Sequence, residues 1–139
     1  MVVVVDSRIF DFFFFSGSHH NLHSFFRYRE HKLAKIVKAD LDGSNIKVVL
    51  NELDDVGLIT AMAATESYIY FTTRSGCLKS VDLAGADYHS LADGLDNPTD
   101  MLITARSYGV DAVIYVSTPH DILRISLDGS TSKKIISGM

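Results

Sequence analysis

Apolar residues recur along the chain at fixed distances from three glycines, and this recurrence predicts its elements. With Gly43, Gly85 and Gly129 as origins, an apolar residue stands seven positions before each glycine, a leucine two before it, and an apolar residue six after it. The recurring residues are Ile36, Leu78 and Ile122; Leu41, Leu83 and Leu127; and Val49, Leu91 and Ile135. The glycines are 42 and 44 residues apart, a spacing typical of propeller blades and similar repeat arrays. The pattern therefore predicts three copies of one structural unit.

Each copy is predicted to contain a β-hairpin closed by a tight turn. The turn is Leu-Asp-Gly in the first and third copies and Leu-Ala-Gly in the second. A glycine there can adopt the positive φ that such a turn demands, and a preceding aspartate can accept a hydrogen bond from the turn backbone. We therefore assign structural roles in the turns to Asp42, Gly43, Gly85, Asp128 and Gly129.

Strand-forming residues around the hairpins extend each copy to four strands. No segment shows a helical period over ten or more residues, so the chain is predicted to be all-β, with twelve strands in three units. The units span about residues 1–50, 57–92 and 98–136 of a single repeat domain that covers residues 1–139.

The first unit allows two registers. In one, Val2–Val5 is the innermost strand, Ile9–Phe15 is the second strand, and residues 16–32 are an inserted loop, longer than a hairpin requires. In the rival register Phe26 and Tyr28 are the counterparts of Tyr68 and Tyr70, which leaves Ile9–Phe15 without a role.

Composition limits the classes of protein that fit this pattern. The 139 residues are 47% hydrophobic and 22% charged, which is enough apolar material for one packed domain. The net charge is −4 and the basic residues are scattered, which argues against nucleic-acid binding. Cys77 is the single cysteine and cannot form an internal disulfide.

The N-terminal segment, Met1–Phe15, is apolar but is not predicted to be a signal peptide or a membrane span. Asp6, Arg8 and Asp11 interrupt it, and no basic residue precedes its apolar part. With neither a signal peptide nor a disulfide, an extracellular location would follow only from a receptor-like function.

The order of an apolar strand, Tyr70–Thr73 or Tyr115–Thr118, and a Leu-Asp-Gly-Ser turn resembles the YWTD repeats, or class B repeats, of low-density-lipoprotein-receptor-type β-propellers. The turn stands whole as Leu41–Ser44 and Leu127–Ser130. Asn97-Pro98 stands where such repeats usually carry a similar pair before the inner strand. The chain lacks tryptophan and the last aspartate of the tetrad, as a divergent or broader TolB-like relative would.

The resemblance implies a six-bladed ring, of which this chain supplies half as a partial β-propeller of three four-stranded antiparallel blades. It implies a non-enzymatic protein-interaction module without a cofactor. A calcium-dependent hydrolase of the six-bladed type is the alternative, as is a metal-binding loop protein. Because repeat arrays do not tolerate an uncapped apolar face well, we expect either further blades of a longer chain or a second copy to close the ring.

Two clusters are candidates for chemistry. His19, His20 and His23 place three imidazoles on one predicted loop, but zinc needs about four convergent ligands, and no cysteine or carboxylate stands at a suitable spacing. The recurring aspartates are assigned to turns, since an active site is normally one convergent cluster rather than a repeated position. No motif of a catalytic triad, a phosphate-binding loop or a metalloprotease occurs, so we predict no catalytic residue.

An apolar edge is predicted at each end of the array. Phe12, Phe13, Phe14 and Phe15 cannot all lie on one face of a strand, which makes this run a candidate interaction edge. At the other end Val113, Tyr115 and Ile125 are predicted to form a free face. Head-to-tail association of two copies would cover both ends.

Overall fold

The computed structural model describes residues 10–16, 22–30, 33–40, 42–53, 59–104, 106 and 108–138, and none of these residues lies in a helix. They form twelve β-strands, whose sequences are rich in the β-branched and aromatic residues that strands favour. The strands are β1 (Phe10–Ser16), β2 (Leu22–Glu30), β3 (Leu33–Asp40), β4 (Lys47–Leu53), β5 (Ile59–Ala64), β6 (Tyr68–Thr73), β7 (Leu78–Asp82), β8 (His89–Ala92), β9 (Asp100–Ile103), β10 (Val113–Ser117), β11 (Asp121–Ser126) and β12 (Ser132–Ser137).

The described strands form three antiparallel sheets of four strands each. Each sheet is an up-and-down meander, and we call β1–β4 blade 1, β5–β8 blade 2 and β9–β12 blade 3. The first strands of successive blades lie side by side, β1 beside β5 and β5 beside β9, as in consecutive blades of a propeller. The predicted fold class, an all-β partial β-propeller, is confirmed.

Blade 1 differs from the sequence prediction in its second strand. Strand β2 lies inside the range 16–32 that was predicted to be an inserted loop, so the loop prediction is wrong there. Strand β1 pairs only with β2 among the described residues, which makes it the first strand of the blade rather than the second. The predicted strand Val2–Val5 lies outside the described residues.

The rival register predicted for blade 1 is wrong as well. Phe25 pairs with Lys38 and Tyr70 pairs with Ser80, and both partners stand five residues before a turn glycine. Phe25, not Tyr28, is therefore the counterpart of Tyr70. Counting back from the glycine fails because the β2–β3 ladder is longer than the β6–β7 ladder.

Two apolar cores lie between successive blades, one on each face of blade 2. The core between blades 1 and 2 contains Ile36, Val49, Leu50, Ile59, Met62, Ile69, Phe71 and Val81. The core between blades 2 and 3 contains Ala61, Ala63, Tyr70, Leu78, Leu95, Met101, Ile114, Val116, Leu123 and Ile125. Neighbouring residues such as Ile69 and Tyr70 enter different cores because side chains alternate between the faces of a strand.

The two cores show that a residue at a given distance from its turn glycine packs against the same neighbouring blade, preceding or following, in each repeat. Val81 and Ile125, four residues before their turn glycines, pack toward the preceding blade. Ile36 and Leu78, seven residues before theirs, pack toward the following blade. Ile125 is fully buried against blade 2, so the prediction that it belongs to the free face of blade 3 is wrong.

By the same rule Ile122, seven residues before Gly129, faces away from blade 2. Its register partner on β12 is Ile136, and on β10 it stands opposite Ser117. Among the described residues no further sheet covers this side of blade 3. The uncovered side of blade 3 therefore carries apolar residues at the same repeat positions that blades 1 and 2 bury against the following blade.

Candidate interaction surface

The turns of blades 1 and 3 are held by an aspartate directly before the glycine. Asp128 accepts hydrogen bonds from the backbone N–H of Ser130 at 2.9 Å, from the Ser130 hydroxyl at 2.7 Å and from the Ser126 hydroxyl at 2.8 Å. These bonds, the backbone one above all, lower the pKa of Asp128 to about 2. Asp42 accepts the corresponding bonds from the hydroxyl and backbone of Ser44, which also lower its pKa.

Blade 2 lacks an aspartate before its glycine and uses another residue. Asp82, three residues before Gly85, accepts hydrogen bonds from the backbone N–H groups of Ala84 at 3.0 Å and Ala86 at 2.8 Å. The Asp82 side chain thus holds both sides of the turn at Gly85, because its two donors stand directly before and after that glycine. Each of these three aspartates accepts its hydrogen bonds within its own turn, which fits a structural role.

The turn glycines also form the junctions between blades. A Cβ atom added to Gly85 would lie 2.2 Å from the carbonyl oxygen of Val49, in the outer strand of blade 1. One added to Gly129 would lie 2.7 Å from the carbonyl oxygen of Leu91, in the outer strand of blade 2. Val49 and Leu91 each stand six residues after the turn glycine of their own blade. One contact therefore recurs at both described junctions, and only a residue without a side chain can make it.

The uncovered side of blade 3 is the candidate interaction surface. We call it the open face, and it comprises Leu102, Tyr115, Ile122, Arg124, Lys133, Ile135 and Ile136. Leu102 is 56% exposed, whereas its counterpart in blade 2, Ala63, is buried. Tyr115 and Ile122 are half-buried, but their counterparts Tyr70 and Leu78 are buried.

The outer strand contributes the most exposed aliphatic residues of the open face after Leu102. Ile135 is 47% exposed and Ile136 is 44% exposed, beside a register irregularity between β11 and β12. In blade 1 the equivalent residues are Val49 and Leu50, and both are buried against blade 2. These residues of blades 1 and 3 are all aliphatic, and they differ in exposure because blade 1 has a following blade packed against it and blade 3 has none among the described residues.

The open face also carries positive charge. Arg124 and Lys133 are exposed register partners on β11 and β12. Arg124 occupies the position five residues before the turn glycine that Lys38 occupies in blade 1. Lys38 donates a hydrogen bond from Nζ to the carbonyl oxygen of Leu83 at 3.1 Å, across the junction to the turn of blade 2. Arg124 thus occupies, on the open face, the repeat position from which Lys38 bonds across a junction.

A second polar cluster lies on blade 2. The Tyr68 hydroxyl donates to Asp87 Oδ2 at 2.5 Å, and His89 Nε2 lies 2.5 Å from Asp87 Oδ1. The bond from Tyr68, followed by that from His89, lowers the pKa of Asp87, and the same Tyr68–Asp87 bond raises the pKa of Tyr68. The cluster ties the start of β6 to the start of β8 across the hairpin.

The remaining predicted candidates are placed only in part. His19 and His20 lie outside the described residues, and His23 is in β2, so the argument against a metal site at these three histidines stays a prediction. Phe12–Phe15 belong to β1, at the edge of their sheet, and their role as an interaction edge also stays a prediction.

Within the described part of the chain, no three His, Cys, Asp or Glu side chains come together as metal ligands. Nor does this part contain a helix of the length and apolarity needed to cross a membrane.

Comparison with solved structures supports the fold. The chain is similar to a chain of the crystal structure of a nidogen/laminin complex, with a TM-score of 0.60 and 16% sequence identity over 84% of its own length. The match spans 42% of the other chain. At this identity the similarity shows the fold alone. No protein-family model and no curated protein sequence matches the chain.

Proposed function

We propose that the chain is a non-enzymatic protein-interaction module, part of a β-propeller related to the YWTD repeats, and that its open face binds another propeller blade. One observation carries the proposal: the open face repeats residue positions that blades 1 and 2 bury against their following blades. The similar chain belongs to a complex between two proteins, which supports a protein partner. In this proposal the blades, near residues 1–50, 57–92 and 98–136, make half of a six-bladed ring.

The size of the open face indicates what kind of partner can cover it. Burying Leu102, Ile135 and Ile136 from their half-exposed state would contribute about 2 kcal/mol each, at roughly 25 cal/mol per Å² of apolar surface. Association costs about 4–15 kcal/mol in lost translational and rotational freedom. These three side chains alone therefore leave at most about 2 kcal/mol of net binding free energy. A stable complex needs a partner that covers the whole sheet face. A blade does so, because it is a sheet of matching width.

Replacement of one open-face residue tests the proposal. Ile136→Lys should weaken self-association of the chain about tenfold or more, because it places a charge in an apolar contact. Val110→Lys is the matched control, since Val110 is 61% exposed but lies in the connection between β9 and β10. Sedimentation velocity at micromolar concentration measures the associated fraction. Equal behaviour of the two variants would contradict a role for the open face.

A further inference from the structure

We propose that the occupant of the open face is blade 1 of a second copy of the chain, seated through its Gly43 turn on the backbone at Ile135. The inference rests on the proposed function and names its partner. It follows from the contact that recurs at both described junctions, where a turn glycine lies against the residue six positions after the preceding turn glycine. In blade 3 that residue is Ile135. Among the described turn glycines, Gly85 and Gly129 already lie against a preceding blade, so Gly43 of a second copy is the one that would fit this seat.

The Gly43 turn has the shape of the turns that already sit on a neighbouring blade. Gly43 and Gly85 both have φ of 84°. The Gly43 N–H donates to the carbonyl oxygen of Asp40 at 2.9 Å, as the Gly85 N–H donates to that of Asp82 at 3.1 Å. The Gly43 turn therefore presents the same flat glycine surface for docking.

The proposed docking position at Ile135 has the strand backbone of its two counterparts but no turn lying on it among the described residues. Val49, at the equivalent position in blade 1, is buried under the Gly85 turn, and Leu91 in blade 2 is half-buried under the Gly129 turn. Ile135 is exposed, in a strand whose described residues are exposed throughout. Its backbone continues the strand position that accepts a glycine in the two preceding blades.

Charge favours the same pairing. The open face carries Arg124 and Lys133, whereas the Gly43 turn carries the carboxylates of Asp40 and Asp42. Arg124 also occupies the repeat position from which Lys38 bonds to the turn of the following blade. Opposite charges therefore meet at the proposed junction, and raised salt should weaken it.

Geometry favours two such junctions rather than one. A four-stranded sheet with five-residue strands measures about 19 by 17 Å, or about 300 Å² of projected area per face. A typical stable interface covers about 800 Å² per partner. A single junction is small by this measure, and a head-to-tail pair of three-blade arrays doubles it. Such a pair closes on itself, whereas a heterologous contact that did not close would continue into a filament.

The test uses a substitution that keeps the turn but blocks docking. Asparagine tolerates the left-handed conformation of Gly43, yet its Cβ would meet the Ile135 backbone of the second copy, as a Cβ at Gly85 would meet Val49. Gly43→Asn should convert the dimer into a folded monomer in light scattering, with the β-sheet circular dichroism retained. Gly109→Asn is the control, because Gly109 has φ of 77° and no atom within 4 Å of an added Cβ.

A disulfide trap identifies the partners directly. In a Cys77→Ser background, Ile135→Cys chains mixed with Ser44→Cys chains should form a mixed disulfide dimer on oxidation, and neither variant alone should. Cross-linking of Ile135→Cys with itself alone would overturn the inference, because it would show open face against open face. A Gly43→Asn chain that stays dimeric would overturn it too. If Ile136→Lys still dissociates that dimer, the proposed function survives; if neither change matters, the proposed function itself fails.

Discussion

Replacement of Gly85 by alanine is expected to destabilise the fold by about 2–4 kcal/mol. The new Cβ would lie 2.2 Å from the carbonyl oxygen of Val49, a backbone atom that cannot move without displacing β4. Overpacking of this kind costs about 1–3 kcal/mol, and the positive φ of 84° adds about 1 kcal/mol for a residue with a side chain. Urea denaturation followed by circular dichroism measures the loss, provided that the slope of the transition is unchanged.

Gly94→Ala separates the two causes. Gly94 has φ of 72°, but no atom lies within 4 Å of the position of its Cβ. The variant should therefore lose only the conformational part, about 1 kcal/mol. Equal losses of unfolding free energy at Gly85 and Gly94 would show that the Gly85 turn does not lie in close contact with Val49 of blade 1. The described junction between blades 1 and 2 would then be wrong.

Replacement of Ile125 by alanine is expected to cost about 3 kcal/mol, within the usual 2–5 kcal/mol for a buried isoleucine. Ile125 is 0% exposed in the core between blades 2 and 3, and it pairs with Ile114 on the same face. Its loss leaves a cavity at the junction that holds blade 3 in place. Thermal or chemical unfolding at a concentration where the chain is monomeric gives the free-energy difference.

Ile122→Ala provides a comparison in the same strand with the same change of side chain. Ile122 is half-buried on the open face, so the monomer should lose only about 1 kcal/mol. The same variant should weaken self-association, which Ile125→Ala affects only through folding. A larger loss of monomer stability at Ile122 than at Ile125 would mean that the faces of blade 3 have been assigned the wrong way round.

The repeating turns could be predicted from sequence because their chemistry is local. A glycine at positive φ, with an aspartate nearby to bond the turn backbone, needs no information from the rest of the fold. The regular spacing of Gly43, Gly85 and Gly129 was then enough to predict three blades. The contacts of Gly85 with Val49 and of Gly129 with Leu91 could not be predicted. They are made to backbone carbonyl groups, which every strand residue has, so the sequence does not mark them.

The direction of each strand residue could not be predicted for a different reason. Ile122 and Ile125 are both isoleucines, yet one lies on the open face and the other in a core. Strands between two neighbouring sheets are apolar on both faces, so no polar side distinguishes one face from the other. The direction emerges only when the position is counted from the turn glycine and compared between blades.

Blade 1 shows the limit of the repeat pattern. Taking Ile9–Phe15 as the second strand leaves residues 16–32 between two strands of a hairpin, and this register therefore predicts an inserted loop where β2 lies. Its aromatic residues Phe25 and Phe26 favour a strand, and pairing with β1 and β3 provides one. The length of that ladder depends on pairing between strands, which repeat spacing alone does not encode.

The mass of the chain in solution is the most direct test of ring closure. Size exclusion with light scattering, at micromolar concentration and moderate salt, should give twice the 15.4 kDa of one chain, and the dimer should weaken as salt is raised. A single mass of 15.4 kDa with a cooperative melt across that concentration range would contradict closure by a second copy.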